Sequence, residues 1–225
     1  GVMQDLPRIN TAIADGSLAK QPAIAEVVAA LKKTGGTCHL MGLVSTGGVH
    51  SHQRHVAALA KTLAAQGLDV VVHVFTDGRD CPPKSAADQL RAFIADLEGT
   101  ARIASVTGRF FAMDRDKRWE RVEQAWKVIA LAEAEHSADD PVAAVEAAYA
   151  RDETDEFVTP TVIAGGAPLK DGDGIVMANF RADRAREILA TFLDADFDGF
   201  ARPAAPKLAI AAGMVEYSSV LAPKM

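Results

Sequence analysis

The chain has 225 residues, with 24 Lys plus Arg against 30 Asp plus Glu for a formal charge of −6, and 49% of its residues are hydrophobic. This balance excludes a chain disordered along its length, and net acidity argues against a general binder of nucleic acid or of anionic membranes. No window of about 20 residues is apolar and charge-free, the two cysteines Cys38 and Cys81 fit a reducing cytosol, and Gly1–Asp5 lacks the basic and apolar regions of a signal peptide, so the expected location is cytoplasmic.

Leu6–Asp15 and Pro22–Lys32 read as two helices separated by Gly16-Ser17. From Cys38 onward one unit recurs: a short apolar run, a glycine-marked turn and a segment of helical period. The run Cys38–Val44 ends at Ser45-Thr46-Gly47-Gly48. His52–Gln66 follows, with Val56, Leu59, Ala60 and Leu63 at helical spacing and Gly67 as its stop. Val70–Phe75 is apolar apart from His73 and ends at Thr76-Asp77-Gly78. Pro82-Pro83 then opens a helix from about Lys84 to Leu97. Arg102–Val106 ends at Thr107-Gly108, before a long helix from about Asp116 to Glu135 with Trp119, Val122, Trp126 and Ile129 on one stripe.

Asp139–Tyr149 suggests another helix, and Arg151–Asp173 is a polar excursion with one short strand at Val162-Ile163. Ile175–Phe180, a helix from about Asp183 to Phe192, and the run Lys207–Ala212 complete the series. Strands alternating with helices predict an α/β fold. Uninterrupted apolar strands predict helices on both faces, hence a three-layer α/β/α domain with a largely parallel central sheet of about five strands.

Four strand-to-helix junctions collect polar residues: Ser45–His52, Asp77–Asp80, Gly108–Asp116 and Asn179–Arg184. In a parallel sheet these junctions lie along one edge, where ligands bind. They carry five arginines: Arg79, Arg109, Arg115, Arg181 and Arg184. Asp77, Asp80, Asp114 and Asp183 offset part of that charge. The remainder points to a multiply charged small anion, because Arg binds carboxylate and phosphate bidentately. Gly47-Gly48 matches neither the Walker nor the dinucleotide spacing.

His50, His52 and His55 form a competing signal for a metal, with Asp77 or Asp80 as a further ligand. His52 and His55 can equally cover the first turn of their helix. His39 and His73 read as satisfied core histidines, and Trp119 and Trp126 as core. No nucleophile is paired with a base, and Ser45 and Ser51 are candidates by location only. The chain reads as an anion cradle without a chemical engine.

Gly47–His52 (G-G-V-H-S-H), Asp77–Asp80 (D-G-R-D), Gly108–Trp119 (G-R-F-F-A-M-D-R-D-K-R-W), Asp155–Pro160 (D-E-F-V-x-P) and Asn179–Arg184 (N-F-R-A-D-R) occur in this order. Together they resemble the 2,3-bisphosphoglycerate-independent phosphoglycerate mutases. Gln4–Asn10 and Glu216-Tyr217 resemble the segments where that family's chain enters and leaves its second domain. The resemblance implies that residues 1–225 are the inserted substrate-binding (phosphotransferase) domain of a two-domain enzyme, with 1–20 and 214–225 near the hinges to a phosphatase-like domain. Two manganese ions and the nucleophilic serine would belong to that other domain, no metal is expected in this chain, and the family's substrate-contacting lysine would fall beyond Met225.

The family's substrate contacts would fall on His50, Arg79, Asp80, Arg109, Arg115, Arg181 and Arg184. His50, Arg109 and Arg115 are expected on the glycerate side, and Arg181 and Arg184 on the phosphoryl side. Asp80 is the candidate for proton transfer, with pairing to Arg79 as the alternative. The implied reaction interconverts 3-phosphoglycerate and 2-phosphoglycerate through a phosphoserine in the other domain, without 2,3-bisphosphoglycerate. The implied partners are those substrates and the enzyme's own phosphatase-like domain, with no nucleic acid, no membrane and a monomeric full-length enzyme. A metal-dependent hydrolase built on His50, His52 and His55, and a non-catalytic sensor of phosphorylated metabolites, are the alternatives.

Overall fold

Five apolar runs form the centre of one sheet. They are β1 (Cys38–Val44), β2 (Val70–Thr76), β3 (Arg102–Gly108), β6 (Gly174–Met177) and β7 (Ile210–Gly213). The computed structural model describes residues 20–47, 52–178, 182–194, 196–202, 206–213 and 219–220, and of 182–185 and 219–220 the backbone alone. The expected helix Leu6–Asp15 and the two hinge regions, apart from Lys20 and 219–220, lie outside these residues.

Three short strands extend the sheet to eight: β4 (His136–Ala138), β5 (Thr161–Ile163) and β8 (Ser219–Val220). The order is β4-β5-β3-β2-β1-β6-β7-β8. Neighbours in β3-β2-β1-β6-β7 are parallel, whereas β5 runs antiparallel to β3 and β8 antiparallel to β7. β5 is the short strand expected at Val162-Ile163, and β4 and β8, too brief to show a period-2 pattern, carry the sheet beyond the expected five.

The helices are α1 (Pro22–Thr34), α2 (Gln53–Ala65), α3 (Ala86–Leu97), α4 (Arg109–Ala112), α5 (Trp119–Ala130), α6 (Pro141–Ala150) and α7 (Ala182–Leu193). Alternate strand residues bury opposite ways. Leu40, Val72 and Val74 pack with Ile24 and Leu31 of α1, Leu59 of α2, Phe93 of α3 and Val145 of α6. Met41, Leu43 and Phe75 pack with Trp126 of α5 and Ile188 of α7. Helices thus cover both faces, as three layers require.

The long helix expected over Asp116–Glu135 is shorter at both ends. Asp114 holds 116–118 in a turn by accepting from the Asp116 and Arg118 amides at 3.1 and 2.9 Å. Ala132, at φ +54°, turns the chain away toward β4. The short α4 was not expected, because four residues show no period.

His39 and His73 are fully buried core histidines, as expected. Ser105 Oγ lies 2.8 Å from His73 Nδ1, His73 Nε2 lies 2.9 Å from His39 Nδ1, and His39 Nε2 lies 3.0 Å from Asp173 Oδ2. This row crosses β3, β2 and β1 to the residue before β6.

The strand order also locates the ligand edge. From β1 the chain steps to β2 and β3 on one side, then returns to β6 on the other. The switch point lies between β1 and β6, and the crevice outside their carboxyl ends is where such sheets bind ligands.

Candidate functional site

At the carboxyl end of β2 the turn is built around Asp77, which is fully buried. Ser45, just past β1, donates to Asp77 Oδ2 at 2.6 Å, and the amides of Arg79 and Asp80 donate to Oδ1 at 3.1 and 3.0 Å. Arg109, the first residue of α4, places Nη1 2.8 Å from Asp77 Oδ1 and 2.9 Å from Asp80 Oδ2. Burial alone would raise the Asp77 carboxyl. The Ser45 hydroxyl, the Asp80 amide, the Arg109 guanidinium and the Arg79 amide outweigh it and hold the group below the ordinary carboxylate range. Ser45 also accepts from the Gly47 amide at 3.0 Å and lies 2.9 Å from Cys81 Sγ, so one hydroxyl ties the first junction to the second.

The single-turn helix Asp155–Phe157 presses against this edge. Two glycines make the approach possible. A Cβ on Gly78, at φ +69°, would lie 2.8 Å from both Asp155 Cβ and the Glu156 amide, and one on Gly108 would lie 2.4 Å from the Glu156 carbonyl oxygen. Asp155 is fully buried and its Oδ2 accepts from the Ser85 and Ala86 amides at 2.7 and 2.9 Å, which satisfies the start of α3. Its Oδ1 accepts from the Tyr149 hydroxyl. Substituting Asp155 by Ala is expected to cost about 2–3 kcal/mol, since two helix-start amides and a phenol lose one acceptor group. Urea unfolding of the variant measures it, and a change below about 0.5 kcal/mol would contradict this account.

The third junction is held by Asp114, which is 5% exposed. Besides the two amides of its turn it accepts from Arg118 Nη1 at 3.2 Å. Burial opposes ionisation, but the Arg118 amide, Glu187, the Asp116 amide and the Arg118 side chain hold Asp114 low. Arg115, on the turn so formed, is exposed.

The expected site residues thus divide. Arg79, Asp80, Arg109 and Arg115 follow β2 and β3 at one edge of the sheet. Arg79 is exposed, and Arg109 is 3% exposed and bound between two carboxylates. The Asp80 carboxylate meets Arg109, 29 residues away, rather than being defined by its neighbour Arg79. His50 and Arg181 lie outside the described residues, and Arg184 is described by its backbone on α7.

His52 is the N-cap of α2 and accepts from the Arg54 amide at 3.1 Å, with its ring tilted against His55 at 5.7 Å between centroids. Burial, then His52, pushes His55 down to about 4. Both therefore cover the first helical turn. Among the described residues no three His, Cys, Asp or Glu side chains are grouped as metal ligands would need.

Sequence reasoning treated Asp77 only as charge compensation or a possible metal ligand, and assigned no role to Asp155 or Glu187. Gly78 and Gly108 beside a conspicuous Asp155-Glu156 pair carried the only signal of the close approach.

Residues 9–219 match the family model described as the BPG-independent PGAM N-terminus. The 2,3-bisphosphoglycerate-independent phosphoglycerate mutase of Gluconobacter oxydans is 51% identical over 224 residues, covering 100% of this chain and 44% of its own length. That of Rhodopseudomonas palustris is 53% identical over 220 residues, covering 98% of this chain and 44% of its own length. A solved Leishmania mexicana phosphoglycerate mutase at low cobalt concentration superposes with a TM-score of 0.84 at 32% identity, covering 93% of this chain and 41% of that one. The chain therefore spans less than half the length of the curated relatives it matches.

Proposed function

The chain belongs to the 2,3-bisphosphoglycerate-independent phosphoglycerate mutase family, and from that membership we propose that residues 1–225 are the substrate-holding domain of a mutase that interconverts 3-phosphoglycerate and 2-phosphoglycerate. The observation that carries this reading is the buried Arg109, fixed between Asp77 and Asp80 at the edge where Arg79 and Arg115 are also placed.

The charges refine the division of labour. Arg109 with Asp77 and Asp80 sums to −1, so this trio does not itself attract an anion. Attraction falls to Arg79 and Arg115, joined by His50, Arg181 and Arg184 from the flanking junctions. Arg109 supplies orientation, since its Nη1 is held by two carboxylates. The glycerate carboxylate is held by Arg115 and His50 beside Arg109, and the phosphoryl oxygens by Arg181 and Arg184. Asp80 takes and returns the hydroxyl proton, which requires it within hydrogen-bond reach of a glycerate hydroxyl.

The phosphoryl group is parked on a serine of a further, phosphatase-like domain while glycerate is retained and re-oriented here. Two manganese ions bound by that domain would supply charge neutralisation for the phosphoryl oxygens. The described residues of this chain offer them no ligand group. The full-length enzyme is monomeric in this reading, and its own second domain closes over the site.

Calorimetric titration of this chain with 3-phosphoglycerate, beside a titration with manganese, tests the reading. Binding is expected for phosphoglycerate and not for manganese. Arg115→Ala and Arg181→Ala are each expected to weaken binding about 10–100-fold, the worth of a charge-assisted hydrogen bond. Manganese uptake without phosphoglycerate binding, or unchanged affinity in both variants, would overturn it. No turnover is expected from the isolated chain, and reproducible turnover would refute the assignment of the chemistry to a second domain.

A further inference from the structure

Glu187 lies on α7 and has no part in the mechanism above, yet it is 8% exposed. Its Oε2 accepts from the Lys117 amide at 2.8 Å. Its Oε1 is buried and meets no donor among the described residues. Asp114 shapes the same turn by accepting from the Asp116 and Arg118 amides, and its charge bears on the Glu187 carboxyl. Burial and the charge of Asp114 both oppose ionisation of Glu187. Asp114 already accepts from two amides and from Arg118, and Arg121 Nη1 stands 3.8 Å away. Asp114 is thus held toward its ionised form and Glu187 pushed toward its neutral form.

The pair joins two junctions. Asp114 and Lys117 bracket Arg115, and Lys117 itself sits at φ +57°, a conformation unfavourable for a lysine unless something holds it. Glu187 lies one turn beyond Arg184 on a helix that begins one residue after Arg181. We propose that Glu187 is a positioning residue: by accepting from the Lys117 amide, it locks the Arg115 turn to α7, so that arginines of two separate junctions meet one anion. This rests on the phosphoglycerate reading above and assigns a role to a residue outside the arginine set.

The sign of its pH dependence follows. Burial, then Asp114 and the charge of Asp116, outweigh the Lys117 amide and push Glu187 up to about 7. Arg118 and Arg121 face Asp114 from the start of α5 and favour its ionised form. A carboxyl with a raised value stabilises its surroundings at low pH and loses that contribution as pH rises toward 7 and beyond. The Arg115 turn should therefore loosen between pH 6 and pH 8.

Glu187→Gln is neutral and keeps one acceptor toward Lys117 at every pH, whereas Glu187→Ala keeps none. The experiment measures KM and kcat for 3-phosphoglycerate in the full-length enzyme at pH 6 and pH 8. The substrate's own phosphate titration cancels in a ratio to E187Q. The wild-type KM divided by that of E187Q is expected to rise about tenfold across this range, the loss of protonated fraction for a group near 7. E187A is expected to raise KM about tenfold or more at pH 6. A merely structural role would lower stability without producing that pH-dependent ratio. A wild-type enzyme that turns over phosphoglycerate, with a ratio flat across the range, would overturn the inference alone. A wild-type enzyme inert toward phosphoglycerate would overturn the functional reading and this inference with it.

Discussion

Replacing Arg109 by Met should lower the unfolding free energy of the chain by about 3–5 kcal/mol, the usual cost of stranding a buried charge. Asp77 is fully buried, and among the described residues Arg109 is its one cationic ion-pair partner. Ser45 and two amides would remain, but hydrogen bonds do not neutralise a charge. The pH dependence gives a second handle. A depressed Asp77 contributes stability above its unfolded value near 3.8, and that contribution is lost as pH falls through the folded value. In the variant Asp77 loses one of the groups that hold it low, so the gap to wild type should be widest at neutral pH and narrow below pH 4. The double variant D77N/R109M removes both charges and should recover much of the loss. Urea unfolding of the four proteins at pH 7 and pH 3.5 measures the cycle. A loss below about 1 kcal/mol in R109M would mean that the pair is no anchor.

That experiment bears on a residue whose environment sequence alone did not disclose. Arg79 and Asp80 are adjacent, and local reasoning paired them as an alternative. The tertiary structure instead brings Arg109 to Asp80 across two strands, because β2 and β3 end side by side with Thr76 opposite Gly108. What sequence did carry was the placement: apolar runs ending in polar clusters fix which residues share an edge. It could not say which cation would be buried and compensated and which would stay exposed. Glu187 illustrates the same limit. A glutamate in a helical segment rich in charge reads as solvated, and only the partner segment 114–118 reveals that it is enclosed.

The elements divide in the same way. β1, β2 and β3 were legible because each is a short, largely apolar run that ends at a turn with a glycine and polar residues. β4 was hidden, because the helical period of α5 continues in the sequence past the point where Ala132 breaks it. Propensity extends a helix that a single left-handed residue and a new strand partner cut short.

At the opposite end of the sheet, Asp173→Ala should destabilise the chain by about 3–5 kcal/mol while leaving phosphoglycerate affinity unchanged. Asp173 accepts from the Thr37 and Lys170 amides, both at 2.9 Å, and from His39 at 3.0 Å. An ionised carboxylate only accepts, so a neutral His39 carries its proton on Nε2 and leaves Nδ1 to accept from His73. His73 then carries its proton on Nε2 as well, and its Nδ1 accepts from Ser105. One carboxylate thereby fixes the tautomers of two buried rings. Removing it orphans three donors at once. Asn at this position is milder, because its amide group can donate to His39 and reverse the row, with Ser105 accepting at the far end. Only the Lys170 amide then faces a donor.

Burial, then His39 and Arg102, holds His73 well below its ordinary value. A depressed histidine costs the folded state stability as pH falls below about 6.5, the unfolded value. Its imidazole signals should therefore stay neutral and Nε2-protonated in NMR titration down to acid unfolding. Gly174 pairs with Cys38 at the amino end of β1, about 20 Å of strand away from Ser45. A variant that loses stability and affinity together would show that the two ends of the sheet are coupled. Lost stability with intact affinity would confine the row to holding the core.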